Sequence, residues 1–192
     1  MRSLLFSPSR IGFFVVFGFS AISSPCFANI VINGDFGTGD LTGWTRGGDS
    51  SDDYVSRGRV SNSSYQAALT TNSDDDGTLS QALATTAGEE YQVQFLVAGD
   101  GATPNSFSAS LGGTTLLSAS DISDTLPTGT SYSFDYTATA PSSLLQFDDD
   151  DAQGFLYLTN VSVDATTPEP TSLILLGIPA GSMLLRRRRR LV

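Results

Sequence analysis

Apolar and polar positions alternate with a period of two through much of the middle of this chain. Tyr91, Val93, Phe95 and Val97 are separated by Gln92, Gln94 and Leu96, which predicts a strand with one buried face. Residues 131–138 repeat the pattern, with Tyr132, Phe134 and Tyr136 on one face and Ser131, Ser133 and Asp135 on the other. Phe107-Ser108-Ala109-Ser110-Leu111 alternates again, and Gly112-Gly113 then predicts a tight turn into 114–117. Residues 144–147 and 155–163 add two more strands, and 30–32 opens the set. Clusters of Gly, Asp, Ser, Thr and Asn lie between them, and no stretch of 29–164 carries helical periodicity. Short strands with close turn signals predict an all-β domain over 29–164, an antiparallel β-sandwich or jelly roll.

The two ends break this pattern. Arg2 and Arg10 bracket a basic segment, 11–22 is largely apolar, and Cys26-Phe27-Ala28 places small residues at both positions of a cleavage site. Residues 1–28 therefore read as a signal peptide with an N-terminal signal helix, cut between Ala28 and Asn29. Acylation on Cys26 is the weaker alternative, because Pro25 and Ser23 stand where a lipoprotein signal has a small residue and a leucine. At the other end, 165–170 is a linker ending in Pro168-Glu169-Pro170, 171–185 is a hydrophobic segment, and 186–192 is rich in arginine. An apolar segment followed by Arg186, Arg187, Arg188, Arg189 and Arg190 predicts a transmembrane helix with a cytoplasmic basic anchor. Leu173 to Leu185 alone spans only roughly 20 Å as a helix, so Thr171-Ser172 and the long arginine stems extend its reach.

This tail resembles the PEP-CTERM sorting signal of Gram-negative bacteria on those three successive parts. The resemblance covers 168–192 and implies recognition by an exosortase, a membrane protease that cuts near Pro-Glu-Pro. It implies transient membrane anchorage through the tail, then release to the cell surface or matrix of an exopolysaccharide-producing, biofilm-forming cell. The removal of a hydrophobic tail after it is read parallels a GPI signal.

Removing both ends changes the charge. All twenty acidic residues stay in 29–170, against Arg46, Arg57 and Arg59 alone, a net charge of −17 where the whole chain has −10. Such a surface repels nucleic acid and anionic headgroups, so no nucleic-acid partner is expected. The lone Cys26 lies in the signal, which excludes a disulfide in the exported part. The chain has no histidine, which removes the usual general base and nitrogen metal ligand.

Three segments resemble a galactose-binding-like jelly roll, the fold of many carbohydrate-binding modules. They are 33–44 (NGDFGTGDLTGW), Leu79 to Leu83 with Gly88 to Tyr91, and 155–163 (FLYLTNVSV). The resemblance implies Phe36 and Trp44 in the core, and Gly34, Gly39 and Gly43 in turns. Relatives often hold a structural calcium with an acid after the Phe and an aspartate in the last strand. Gly37 and Thr159 stand at those positions and supply no carboxylate.

The acidic runs Asp74-Asp75-Asp76-Gly77 and Asp148-Asp149-Asp150-Asp151 have neither EF-hand spacing nor a terminal Glu. They read as solvated loops. No cofactor or metal site is assigned; weak calcium binding is the alternative, and it gains weight if both runs lie at one end of the sandwich. Tyr54 and Tyr65 sit in polar stretches and are the candidate ligand contacts, since an aromatic face can stack on a sugar ring. The arginines read as ion-pair partners. No motif selects a pair of carboxylates for glycoside hydrolysis, and no catalytic residue is expected. The reading is an exported, exosortase-sorted protein that binds exopolysaccharide without catalysis. The alternatives are a structural matrix component without specific ligand and, more remotely, a glycan hydrolase.

Overall fold

The computed structural model describes residues 28–61, 63–72, 76–123 and 125–166. Residues 1–27 of the signal segment, Pro168-Glu169-Pro170, the hydrophobic segment, Arg186 to Arg190, and Asp74 and Asp75 lie outside these residues. The described chain forms ten strands and no helix: β1 (Thr45–Gly48), β2 (Tyr54–Arg57), β3 (Tyr65–Leu69), β4 (Gly77–Ala84), β5 (Glu90–Gly99), β6 (Ser106–Leu111), β7 (Thr114–Ser120), β8 (Thr130–Thr137), β9 (Ser142–Asp150) and β10 (Leu156–Ala165). They make two antiparallel five-stranded sheets, in the orders β1-β4-β9-β6-β7 and β2-β3-β10-β5-β8.

The alternating residues set the layers. Leu79, Leu83, Phe107, Ala109, Leu111, Leu145 and Phe147 line the inner face of the first sheet. Tyr91, Val93, Phe95, Val97, Leu156 and Leu158 line that of the second. Phe147 stands at the centre, 5.3 Å from the Phe95 ring, 5.8 Å from Phe107 and 6.0 Å from Trp44. Tyr136 is buried, while Tyr132 and Phe134 are half-buried beside Phe95 on the edge strand β8. Phe36 is fully buried and stacks on Trp44, whose indole N–H donates to the Asn33 carbonyl. Gly34 permits this corner: a Cβ there would lie 2.0 Å from the Val161 carbonyl oxygen.

The sequence expectation differs from the structure in two places. Residues 30–32 form no strand. The Asn29 side-chain oxygen accepts from the Val31 and Val163 amides, and only an isolated bridge joins Asn29 to Asp164. The side chain thus replaces ladder bonds before the chain turns at Asn33. The run 148–151 is also no solvated loop. Strand β9 continues through Asp150, and its alternation buries Asp149.

Candidate functional site

The outer faces of the two sheets differ in chemistry. In the first sheet, Thr78, Ser80, Ser108, Gln146 and Asp148 point outward around Leu144, which is 47% exposed. In the second, the cross-strand row Tyr54–Ala68–Tyr157–Ala98 faces outward, and this sheet carries the aromatic rings.

Two loops close over that row. Val60 from the β2–β3 loop and Leu126 from the β7–β8 loop pack on Ala68, Ala98, Tyr157, Leu96 and Phe155, a second apolar cluster outside the sandwich core. The Ser61 amide donates to the Pro127 carbonyl and joins the two loops. Tyr157 is buried beneath them. Burial of its hydroxyl raises the Tyr157 pKa, against the opposing charge of Arg59.

An open aromatic edge remains beside this roof. Tyr54 is 44% exposed and meets Phe155 edge-on at 5.7 Å, and Phe155 stacks on Tyr157 at 6.2 Å. The Phe155 backbone is held by its amide, which donates to the Asp100 carboxylate at 3.0 Å. Arg59 is exposed in the adjoining loop. On the same face, a depression of about 230 Å³ is lined by Gln94, Leu96, Ser131, Ser133 and Asn160. The bulge between Thr159 and Ser162 turns Asn160 out to solvent. The ring edge, at β2, and the depression, on β5 and β8, are separate features of this face. An exposed ring can cover the C–H face of a sugar, and carboxamides and hydroxyls can exchange hydrogen bonds with its hydroxyls.

The two tyrosines singled out in the sequence occupy different places. Tyr54 lies on the outer face, whereas Tyr65 is half-buried against the sandwich core. Arg57 sits 4.6 Å above the Tyr65 ring and donates to its hydroxyl. Arg46 donates to the carbonyls of Ser50, Ser51 and Asp53 and so pins the β1–β2 loop. Arg46 and Arg57 thus serve carbonyls and a phenol in these bonds, where ion pairs were expected. Sequence reading missed Phe155, Gln94 and Asn160. The period-two pattern gave Gln94 an outward place, but nothing in it marked that face as the one carrying rings.

Several of the acidic residues gather at one end of the sandwich. Gly77 pairs with Asp149 and Gly48 with Gly77, which brings the loops after β1, before β4 and after β9 together. Burial, with Asp53 the strongest of four aspartates that repel it, pushes Asp149 up to about 8. Burial likewise pushes Asp53 up to about 6, against the Thr70 amide bond and Arg46. Asp151 is raised mainly by burial, against the Gln153 amide.

The position at which the jelly-roll relatives hold calcium does not fit an ion here. The Thr159 hydroxyl is fully buried and donates to the Tyr65 carbonyl, with the Ser63 hydroxyl 2.8 Å away. Gly37 has no side chain to supply a carboxylate, and its amide donates to Asp35.

Residues 28–147 match the CBM_4_9 family, described as a carbohydrate binding domain, and the chain belongs to that family. Among solved structures, it is similar to TmCBM61 in complex with beta-1,4-galactotriose, with 17% identity and a TM-score of 0.53 over 71% of this chain and 97% of that one. It is also similar to the CBM22-1 xylan-binding domain of Paenibacillus barcinonensis Xyn10C, with 14% identity and a TM-score of 0.50 over 78% of this chain and 100% of that one. The enzymatically active domain of bacteriophage CBA120 tailspike protein 4 matches with 16% identity and a TM-score of 0.54, over 71% of this chain but only 21% of that chain. At such low identity, the structural likeness shows a shared fold and no more. No curated protein matches the chain.

Proposed function

We propose that this protein binds polysaccharide without cleaving it, through the outer face of the sheet β2-β3-β10-β5-β8. The observation that carries the reading is the exposed Tyr54 ring, edge-on to Phe155, on the outer face that bears rings; the polar depression with Gln94 and Asn160 lies towards the opposite edge of that face. Membership in a carbohydrate-binding family supports it. The ligand is an extracellular polysaccharide of the producing cell. Affinity electrophoresis in gels containing that polysaccharide tests this: retarded migration with unchanged polymer length is expected. Unretarded migration contradicts binding, and shortening of the polymer contradicts the non-catalytic reading.

The second part of the proposal is delivery. The protein is exported, cut after Ala28, anchored briefly by its arginine-flanked tail and released by an exosortase near Pro168-Glu169-Pro170. The motif order supports this. So does the place of Asn29, whose bonds to Val31 and Val163 survive a cut on its N-terminal side. Intact mass and fractionation in the native cell, beside a Glu169→Ala variant, test it. Loss of the tail in the wild type alone is expected. A tail retained in both, with the protein in the inner membrane, overturns it.

A further inference from the structure

Among the described residues, two buried carboxylates between the sheets at the acidic end, Asp149 and Asp53, have oxygens without a hydrogen-bond partner, as does Asp151 beside them. Asp149 is 1% exposed, and neither of its side-chain oxygens has a hydrogen-bond partner. Asp53 is 5% exposed; its Oδ1 accepts from the Thr70 amide at 3.0 Å, and its Oδ2 has no partner. Asp149 comes from β9 of one sheet. Asp53 comes from the turn before β2 of the other, and it is the strongest electrostatic neighbour of Asp149. A buried carboxylate without a partner costs several kcal/mol, and such an orphan calls for an ion or a proton.

The surroundings favour an ion. Gly77 leaves space against Asp149, since a Cβ there would lie 2.9 Å from one of its oxygens and 3.2 Å from the other. Asp49, Asp52 and Asp76 stand in the adjoining loops, and residues 29–170 carry a net charge of −17. The Arg46 guanidinium is turned to backbone carbonyls of the loop.

We propose that Asp149 and Asp53 together hold one divalent cation of the calcium class, clamping the two sheets at this end. Among the described residues, no three acidic side chains converge tightly enough to hold a metal by themselves. The ion therefore takes two carboxylates, with carbonyl and water oxygens filling the rest of a shell of roughly six to eight. Calcium tolerates such a mixed, irregular shell, whereas magnesium demands a near-octahedral one. This place is distinct from Gly37 and Thr159, and it does not rest on glycan binding.

The test is thermal melting and calcium stoichiometry of the purified full-length chain, in chelator and in rising calcium, with Asp149→Asn and Asp53→Asn. In the wild type, calcium at a hundredfold over its Kd raises Tm by about 5–10 °C and saturates at one ion per chain. Asp149→Asn removes a buried carboxyl that folding in chelator must hold protonated, so there it melts at or above the wild type, and calcium no longer moves it. Asp53→Asn lowers calcium affinity at least tenfold and keeps the readout should Asp149→Asn fail to fold. A control at the exposed Asp35, Asp35→Asn, responds as the wild type does. A wild-type Tm unmoved by calcium overturns the proposal, and so does a calcium response that survives in both Asp149→Asn and Asp53→Asn.

Discussion

Replacing Tyr54 by alanine separates binding from folding. Its side chain is 44% exposed, and an aromatic residue of this kind carries roughly 200 Å² of surface, so about 90 Å² faces solvent. A sugar ring laid on it covers about half of that, worth about 1 kcal/mol at ~25 cal/mol per Å². The stacking geometry adds about 1 kcal/mol. Tyr54→Ala therefore weakens glycan binding by about 2 kcal/mol, or roughly thirtyfold in Kd. Its fold cost is small, about 1 kcal/mol, because the Tyr54 ring meets Phe155 only edge-on and stands on the edge strand β2. Tyr65→Ala behaves in the opposite way. Tyr65 packs on the sandwich core and supports Arg57, so removing it costs about 3 kcal/mol of stability and leaves the Kd of the folded fraction within about twofold. Titration calorimetry with the polysaccharide, beside urea denaturation of both variants, measures the pair. Wild-type affinity in Tyr54→Ala, or a thirtyfold loss in folded Tyr65→Ala, refutes the placement of the site.

Other variants and conditions test the frame beneath the site. Phe147→Ala opens a cavity between Phe95, Phe107 and Trp44 and lowers unfolding free energy by about 4 kcal/mol in urea titration. Gly34→Ala drives a methyl group into the Val161 carbonyl and costs about 3 kcal/mol or more, read as a lower Tm; an unchanged Tm contradicts the close approach. In chelator, stability falls as pH rises from about 4 towards 8. The folded state holds the Asp149 proton up to about 8, whereas the unfolded chain releases it near 3.8, so the folded form binds more protons across that window. Melting curves across that window that are flat, or that rise with pH, contradict the burial of Asp149.

The strands that the sequence displayed are those with one wet face and one dry face. β5 and β8 showed it plainly, as did β6 with its Gly112-Gly113 turn. β3 did not, because Gln66 and Ala68 on its outer side are as buried as Ala67 and Leu69. Val60 and Leu126 roof that side, and a strand dry on both faces loses its period. β1 and β2 are four residues each and too short to show one. Phe36 and Trp44 reached the core as the jelly-roll resemblance implied. The aromatic edge was half legible: Tyr54 stood out by its polar neighbours, but its partner Phe155 read as an ordinary strand residue. The acidic run 148–151 was misread for a physical reason. An aspartate at an inward position contradicts the pattern rule, and only the register to Gly77 shows that Asp149 points between the sheets. That register also brings Gly77, the last residue of the first acidic run, against Asp149 of the second; Asp74 and Asp75 lie outside the described residues.

The most direct test of the account maps the glycan onto the protein by amide chemical-shift perturbation. Titration with an oligosaccharide of the host polysaccharide is predicted to shift Tyr54, Gln94, Phe155 and Asn160 and their neighbours on β2, β5 and β10. The outer face of β4, β9 and β6 stays still. Shifts centred on Ser80, Leu144 and Gln146 instead, or none at saturating oligosaccharide, would contradict the account.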